Sequence, residues 1–575
     1  MPTTPVTGNP SEIMVRQLAA SGVRYLFYNS GSREAPFFDA LHGNPDIDSI
    51  LALHEGSVTA MAGGYTQVNG DVAVEVVHLG AGLAQCMGQL INVWAGSLPV
   101  VVITFAGDTG SYADKVGLDL SHSFGPTSIS APLTKATWTV IEPEGLPAAI
   151  DRAIRVAKTP PMGPVHLAVY DRLLGTQQVK ADIIDGGAPE VRAGYPSDGD
   201  VEELARALHE AKRPLLYVGD SVWKSGAEAQ LTALAEHFGA PVASSWGDLR
   251  GVPIKHTLHC GRLDTAVKPL DPDLIVCIGA RHGGNGVPGD YAPFEGARQV
   301  IALGSDIENL QNIPGLDVAI LADERRALER LNRLAESEFP STHYDERRAW
   351  AHEQGSALRS QRRNAVQPSK ANPGVVRPLT LLDAIDTALE EAGGGLVTTE
   401  QFAVPLDCVR ASDTGNNVYI RPAGGSEGYG IGAAVGAKLA APDMPVVGIV
   451  GDGSMYYADS GMWTAAHHRI PVLYVITNNM SYGIVAGAFG RAQGQMNDTG
   501  VYAGVVLDGI DPVKIAEGFG VEAAHLEDES KVDEAIRHGL DIVNTERRPY
   551  LLNVHMPLGL PPGGTAAEPY KLVSG

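Results

Sequence analysis

Two short apolar runs, MPVVGIV (444–450) and IPVLYVIT (470–477), each end in a polar turn, Gly451-Asp452-Gly453 after the first and Asn478-Asn479 after the second. Each half reads as a strand running into a turn, and the spacing is that of one parallel crossover unit. Glycine lets the backbone approach a ligand closely, and the helix start that follows offers free N–H groups to an anion. Asp452 and Asn479 add hard oxygen atoms of the kind that hold Mg²⁺ or Ca²⁺ against a diphosphate. A lone GDG is often only a turn. GDG after a strand, with NN after the next strand, constrains the chain to an α/β domain built around an anion and a cation.

The chain has 575 residues, enough for roughly two to four domains. Hydrophobic residues make up 44% and charged residues 19%, so large cores can be buried, and 67 glycines suit many tight βα turns. A net charge of −24 argues against nucleic acid or an anionic membrane as a partner. An anionic substrate would need local Arg or Lys against that field. Cys86, Cys260, Cys277 and Cys408 lack CxxC spacing and read as buried reduced thiols. The N-terminus has no basic segment followed by an apolar core, and no apolar run approaches membrane-spanning length. The expectation is a soluble cytoplasmic enzyme.

Three doubly wound parallel-sheet α/β domains are expected, at residues 1–185, 200–345 and 375–556, with a C-terminal tail at 557–575. In the first, VRYLFYN (23–29), VAVEVVH (72–78), LPVVVITF (98–105) and PVHLAVY (164–170) are continuous apolar runs, as buried parallel strands should be. DGGAPEVRAGYPSDGD (185–200) reads as a linker. The second block, with strands PLLYVGD (214–220), LIVCIGA (274–280) and QVIALGSD (299–306), is Rossmann-like but has no GxGxxG. Residues 341–378 read as a second linker. The tail LGLPPGGTAAEPYKLVSG is either disordered or a flap over a site, and its composition favours disorder.

The GDG…NN unit resembles the diphosphate-and-metal signature of thiamine-diphosphate enzymes. The resemblance extends over NSGSREAPFFDAL (29–41), the turn at His78–Gly82, APLTKATW (131–138) and AGGSEGYGIGAAVGAKLA (423–440). These look like their counterparts in benzoylformate decarboxylase, acetohydroxyacid synthase, oxalyl-CoA decarboxylase and 2-hydroxyacyl-CoA lyase, with the actinobacterial lyases the nearest match. The resemblance implies a pyrimidine-binding, a central and a diphosphate-binding domain, in that order. It implies thiamine diphosphate and Mg²⁺ as cofactors, and an active site shared between subunits of a dimer or tetramer. Asp452, Asn479 and the carbonyl of Ser481 would hold the metal. Gly451, Gly453, Ser454, Tyr482, Gly483 and Gln401 would surround the cofactor. Glu55, after a strand and before a small-residue helix, would hydrogen-bond the pyrimidine ring and so activate it. By itself Glu55 could equally be a helix-start carboxylate.

Ser32 and His78 match positions where benzoylformate decarboxylase places polar catalytic side chains. Ser32 is otherwise a helix cap, and His78 a satisfied core histidine. Arg281 and His282, in the loop after the IGA turn, and Arg421 are further substrate candidates. One departure stands out: Glu427 occupies the place of a bulky apolar residue that bends the cofactor in related enzymes, unless Ile484 supplies that prop. The tail, the segment GIVAGAFGRAQGQMNDTG (483–500) and the overall resemblance favour an acyl-CoA substrate. The implied reaction is cleavage of a 2-hydroxyacyl-CoA, such as 2-hydroxyisobutyryl-CoA, to a ketone or aldehyde and formyl-CoA. Gln493 resembles a position that carries Glu in the actinobacterial lyases, and an amide cannot accept the 2-hydroxyl proton as a carboxylate could; otherwise it is an ordinary polar loop residue. The rival reading is a 2-ketoacid decarboxylase or carboligase, which needs no CoA.

Overall fold

The computed structural model describes residues 2–106, 125–187, 191, 193–245, 248–282, 292–366, 373–412 and 415–567. Its strands form three six-stranded sheets in which every pairing is parallel. The first sheet runs in the order Asp48–Leu51, Tyr25–Tyr28, Ala73–Val76, Val100–Ala106, Val165–Tyr170, Ala136–Val140. The second is built on Pro214–Val218, Leu274–Ile278 and Gln299–Gly304, and the third on Leu396–Glu400, Val446–Gly451, Leu473–Asn478 and Tyr550–His555. Central strands are buried on both faces; every residue of Val100–Ala106 and of Leu274–Ile278 is buried. That is why they read as unbroken apolar runs. Edge strands such as Ala136–Val140 and Glu522–Leu526 are half exposed and carry no such run. An antiparallel ribbon, Thr3–Gly8 with Val179–Ile184, ties the two ends of the first block together.

The first and third blocks share one core. Phe27, Met61, Val435, Tyr474 and Leu551 belong to the same buried cluster. Helix Glu55–Asn69 lies directly on helix Gly430–Ala440, and the contact is backbone to backbone. A Cβ on Gly64 would collide with the Ala433 carbonyl, and one on Gly432 would stand 2.8 Å from the Ala60 Cβ. Small residues let the two helices approach this closely.

The charged segment expected as a second linker instead carries a helix, Asp345–Val366. Its arginines explain the folding. Arg347 donates to the carbonyls of Phe238 and Leu208, and buried Arg359 donates to those of Ile254, His256 and Val409. The helix therefore straps the second block to the third. The tail, expected from composition to be disordered, carries a two-residue strand in its described part: Thr565–Ala566 pairs in parallel with Val501–Tyr502. Among the described residues, no helix is long and apolar enough to cross a membrane.

Candidate active site

Strand Val446–Gly451 ends at Gly451, and helix Asp452–Ala458 starts with the next residue. The neighbouring strand Leu473–Asn478 ends in register with it, Gly451 opposite Thr477. The turn that follows is tight: Met480 has φ +52°, and the Asn479 Oδ1 accepts the Ser481 N–H at 3.1 Å. Both motifs thus reach the same end of the same sheet, the usual place for a ligand in an open α/β fold.

Asp452 is only 2% exposed, and its Oδ2 has no hydrogen-bond partner. Burial pushes its carboxyl up to about 6, against the opposing pull of the Gly453 and Met480 N–H groups. Ser481 Oγ is also buried without a partner. Gly453 is required by space, since a Cβ there would stand 2.9 Å from the Tyr482 ring. A cleft of about 720 Å³ opens here. Gln401, Gly451, Asp452, Gly453, Ser454, Asn479, Ser481, Tyr482 and Gly483 all line it. Glu427 and Ile484 line it too, and the Ser454 hydroxyl donates to the Glu427 carboxylate. The Gln401 amide also closes its own turn, accepting the Val404 N–H at 2.6 Å. Met556, Pro557, Gly559 and Leu560 roof one side, which makes the start of the tail part of the cleft.

A second polar cluster lies at the end of the first sheet. Glu34 is fully buried, accepts the Gly31 N–H at 2.8 Å and meets His78 Nδ1 at 2.8 Å. Glu55, 9% exposed, opens its helix beside them: a Cβ on Gly82 would stand 2.9 Å from Glu55 Oε1 and 3.2 Å from the His78 Cβ. Ser32 opens the short helix that ends at Glu34. Below Glu55, the Thr59 hydroxyl lies 3.4 Å from the Glu55 carbonyl and donates to buried Glu75 at 3.1 Å. None of these residues lines the 720 Å³ cleft.

Three family models cover the chain: the N-terminal TPP binding domain of thiamine pyrophosphate enzymes over residues 9–124, their central domain over 201–331 and their C-terminal TPP binding domain over 408–554. The chain belongs to the thiamine-pyrophosphate enzymes. Their cofactor is thiamine diphosphate, with Mg²⁺. Benzoylformate decarboxylase of Pseudomonas aeruginosa is 29% identical over 550 residues, 93% of this chain and 97% of its own. The large subunit of acetolactate synthase isozyme 3 of Escherichia coli is 26% identical over 545 residues, 92% of each chain. Among solved structures, the thiamine diphosphate-dependent 4-hydroxybenzoylformate decarboxylase of Rhodococcus jostii RHA1 superposes with a TM-score of 0.79 at 27% identity, covering 96% of this chain and 99% of the other. The site of this thiamine-pyrophosphate enzyme fits a metal-bound diphosphate: two buried oxygen atoms lack partners, and glycine keeps the cradle open.

The structure sorts the remaining candidates. Arg281 donates to Ser97 Oγ at 3.0 Å and lies 3.6 Å from Asp220, between the first and second blocks. His282 packs against Tyr217 and Phe294. Arg421 is half-buried, and desolvation lowers its guanidinium to about 10. None of the three lines the cleft. Gln493 is exposed just past helix Gly483–Arg491, with φ +53°. Sequence reasoning misses Glu34 and Phe402. Glu34 stands two positions after Ser32 within NSGSREAPFFDAL, a usable signal; Phe402, in the cleft wall, has none.

Proposed function

We propose that this protein is a thiamine-diphosphate-dependent 2-ketoacid decarboxylase or carboligase acting on a substrate with an apolar side chain. The observation that carries the reading is the buried Glu34–His78 pair standing beside Glu55, supported by the likeness to two benzoylformate-type decarboxylases. Bound thiamine diphosphate supplies a carbon nucleophile for the substrate carbonyl and a sink for the electrons of the broken bond. Asp452, Asn479 and the Ser481 carbonyl would hold its Mg²⁺, and Gly453 and Ser454 its diphosphate. Glu55 would hold the proton at the pyrimidine nitrogen. His78, oriented by Glu34, offers a ring nitrogen for proton transfer next to Glu55, and Ser32 offers a hydroxyl for the substrate carboxylate. Phe402, Ile484, Val485 and Leu560 give the cleft an apolar wall.

In one chain, Glu55 and the diphosphate cleft are separate features. A second copy, bringing its Glu55 cluster to this cleft, would complete the site, so a dimer is the smallest working unit. The four buried free thiols fit a reducing cytoplasm.

A second reading has one structural observation behind it. The roofing tail and the 483–500 segment enclose a further groove of about 460 Å³, lined by Gly487, Gly490, Arg491, Gly563 and Gly564. A glycine-walled groove beside the cleft suits a long carrier, as in cleavage of a 2-hydroxyacyl-CoA. Incubating the Mg²⁺- and cofactor-loaded protein with benzoylformate and, separately, with 2-hydroxyisobutyryl-CoA decides between them. CO₂ from benzoylformate alone supports the decarboxylase. Formyl-CoA and acetone, increasing in Gln493→Glu, would replace it with the lyase.

A further inference from the structure

Away from the cleft, strands Glu522–Leu526 and Tyr550–His555 lie side by side, with His525 opposite Asn553. Side chains two residues apart share a face, so His525, Glu527, Asn553 and His555 are gathered at one end of this pair. His525 Nδ1 and His555 Nε2 are 3.4 Å apart, and His555 Nε2 is 3.5 Å from Glu527 Oε1. All three ligand atoms fall within 4.8 Å of one another.

These separations are informative. A tetrahedral ion with bonds of ~2.0–2.1 Å holds its ligands ~3.3–3.4 Å apart. Two more groups complete the pattern. Asp511 Oδ1 lies 3.4 Å from the other ring nitrogen of His525, the placement of a carboxylate that orients a ligating imidazole. Asn553, 1% exposed, has its Nδ2 3.0 Å from His525 Nδ1 while its Oδ1 is buried without a partner. A half-turn of the amide exchanges the two atoms. It would turn an oxygen toward the ion and place the amide nitrogen in the buried position.

We infer that His525, His555 and Glu527 form a binding site for a divalent transition-metal ion of the Zn²⁺ class, with Asp511 orienting His525. Imidazole and carboxylate in this arrangement suit Zn²⁺ over Mg²⁺. The site is independent of the diphosphate cleft but coupled to it through the backbone. The Met556 N–H donates to the Asn478 carbonyl at 2.8 Å, and Met556 and Pro557, directly after His555, roof the cleft. A bound ion clamps the root of the tail.

The test is a Co²⁺ titration of the chelator-washed holoenzyme, kept saturated with Mg²⁺ and thiamine diphosphate, followed by visible absorption. The expected result is an intense tetrahedral spectrum that saturates at one ion per chain and is displaced by Zn²⁺. His555→Gln should abolish it, Glu527→Gln, at an exposed position, should weaken it strongly, and Asp511→Asn should weaken it about tenfold. No uptake, or a weak octahedral spectrum unchanged in Glu527→Gln, would overturn the inference. Glu527→Gln tests it even if the His555 variant fails to fold.

Discussion

His78 Nδ1 stands 2.8 Å from Glu34 Oε1, and that carboxylate has no exposure to solvent. A buried carboxylate fixes an imidazole in one orientation. Glu34→Gln should therefore lower kcat/KM by about 10- to 100-fold while cofactor binding is unchanged. Steady-state kinetics with a parallel cofactor titration checks this; equal loss of cofactor affinity would argue for a purely structural pair.

Glu55→Gln keeps shape and removes the carboxylate. The holoenzyme should still form, and turnover should fall by about 100-fold or more. Cofactor fluorescence quenching and product assay, run on the same sample, separate the two effects. Full activity would remove Glu55 from the mechanism.

Asp452 Oδ2 and Ser481 Oγ are buried without partners in the wall of the cleft. Asp452→Ala should abolish the rise in Tm that Mg²⁺ and thiamine diphosphate give the wild type. Without ligand, the variant should melt no lower than the wild type, because it removes a desolvated carboxyl. A retained cofactor-induced shift would move the metal elsewhere.

Glu75 is fully buried, with one oxygen on Thr59 and the other without a partner. Burial pushes its carboxyl from 4.5 up to about 8. The folded state thus holds a proton that the unfolded chain releases near 4.5. Its contribution to stability is complete below that pH and is lost as pH rises toward about 8. Buried Glu400, also raised to about 8, acts in the same direction. The Tm of Glu75→Gln, measured from acid to alkaline pH, should fall less steeply than that of the wild type. Parallel curves would show that Glu75 is not the group titrating.

Gly436 touches the backbone of Met61 and Tyr65 across the helix pair, with no room for a Cβ. Gly436→Ala should cost about 1–3 kcal/mol despite better helix propensity. Chemical denaturation measures it. A gain in stability would show that the helices separate without penalty.

The sequence by itself determined the fold class and brought one half of the candidate site into view. Parallel strands buried on both faces are mostly apolar, so the central strands were legible as runs, with Glu75 and Glu400 as the buried exceptions. GDG and NN each follow such a strand directly, so local geometry carries them to one sheet end. Glu55 was legible because it sits between a strand and a helix of small residues. What only the tertiary structure decided depends on contacts between distant segments. Helix Asp345–Val366 looked like a charged linker because its arginines are satisfied by carbonyls far away in the chain. The described part of the tail reads as disordered because Thr565–Ala566 takes its strand partner, Val501–Tyr502, from a distant segment. The pairing of His78 with Glu34 joins two segments that lie far apart in the chain, and the gathering of His525, Glu527 and His555 follows from strand register, which no local pattern encodes. Propensity and periodicity act over a few residues; pairing, burial and desolvation are set by what the chain brings together across hundreds.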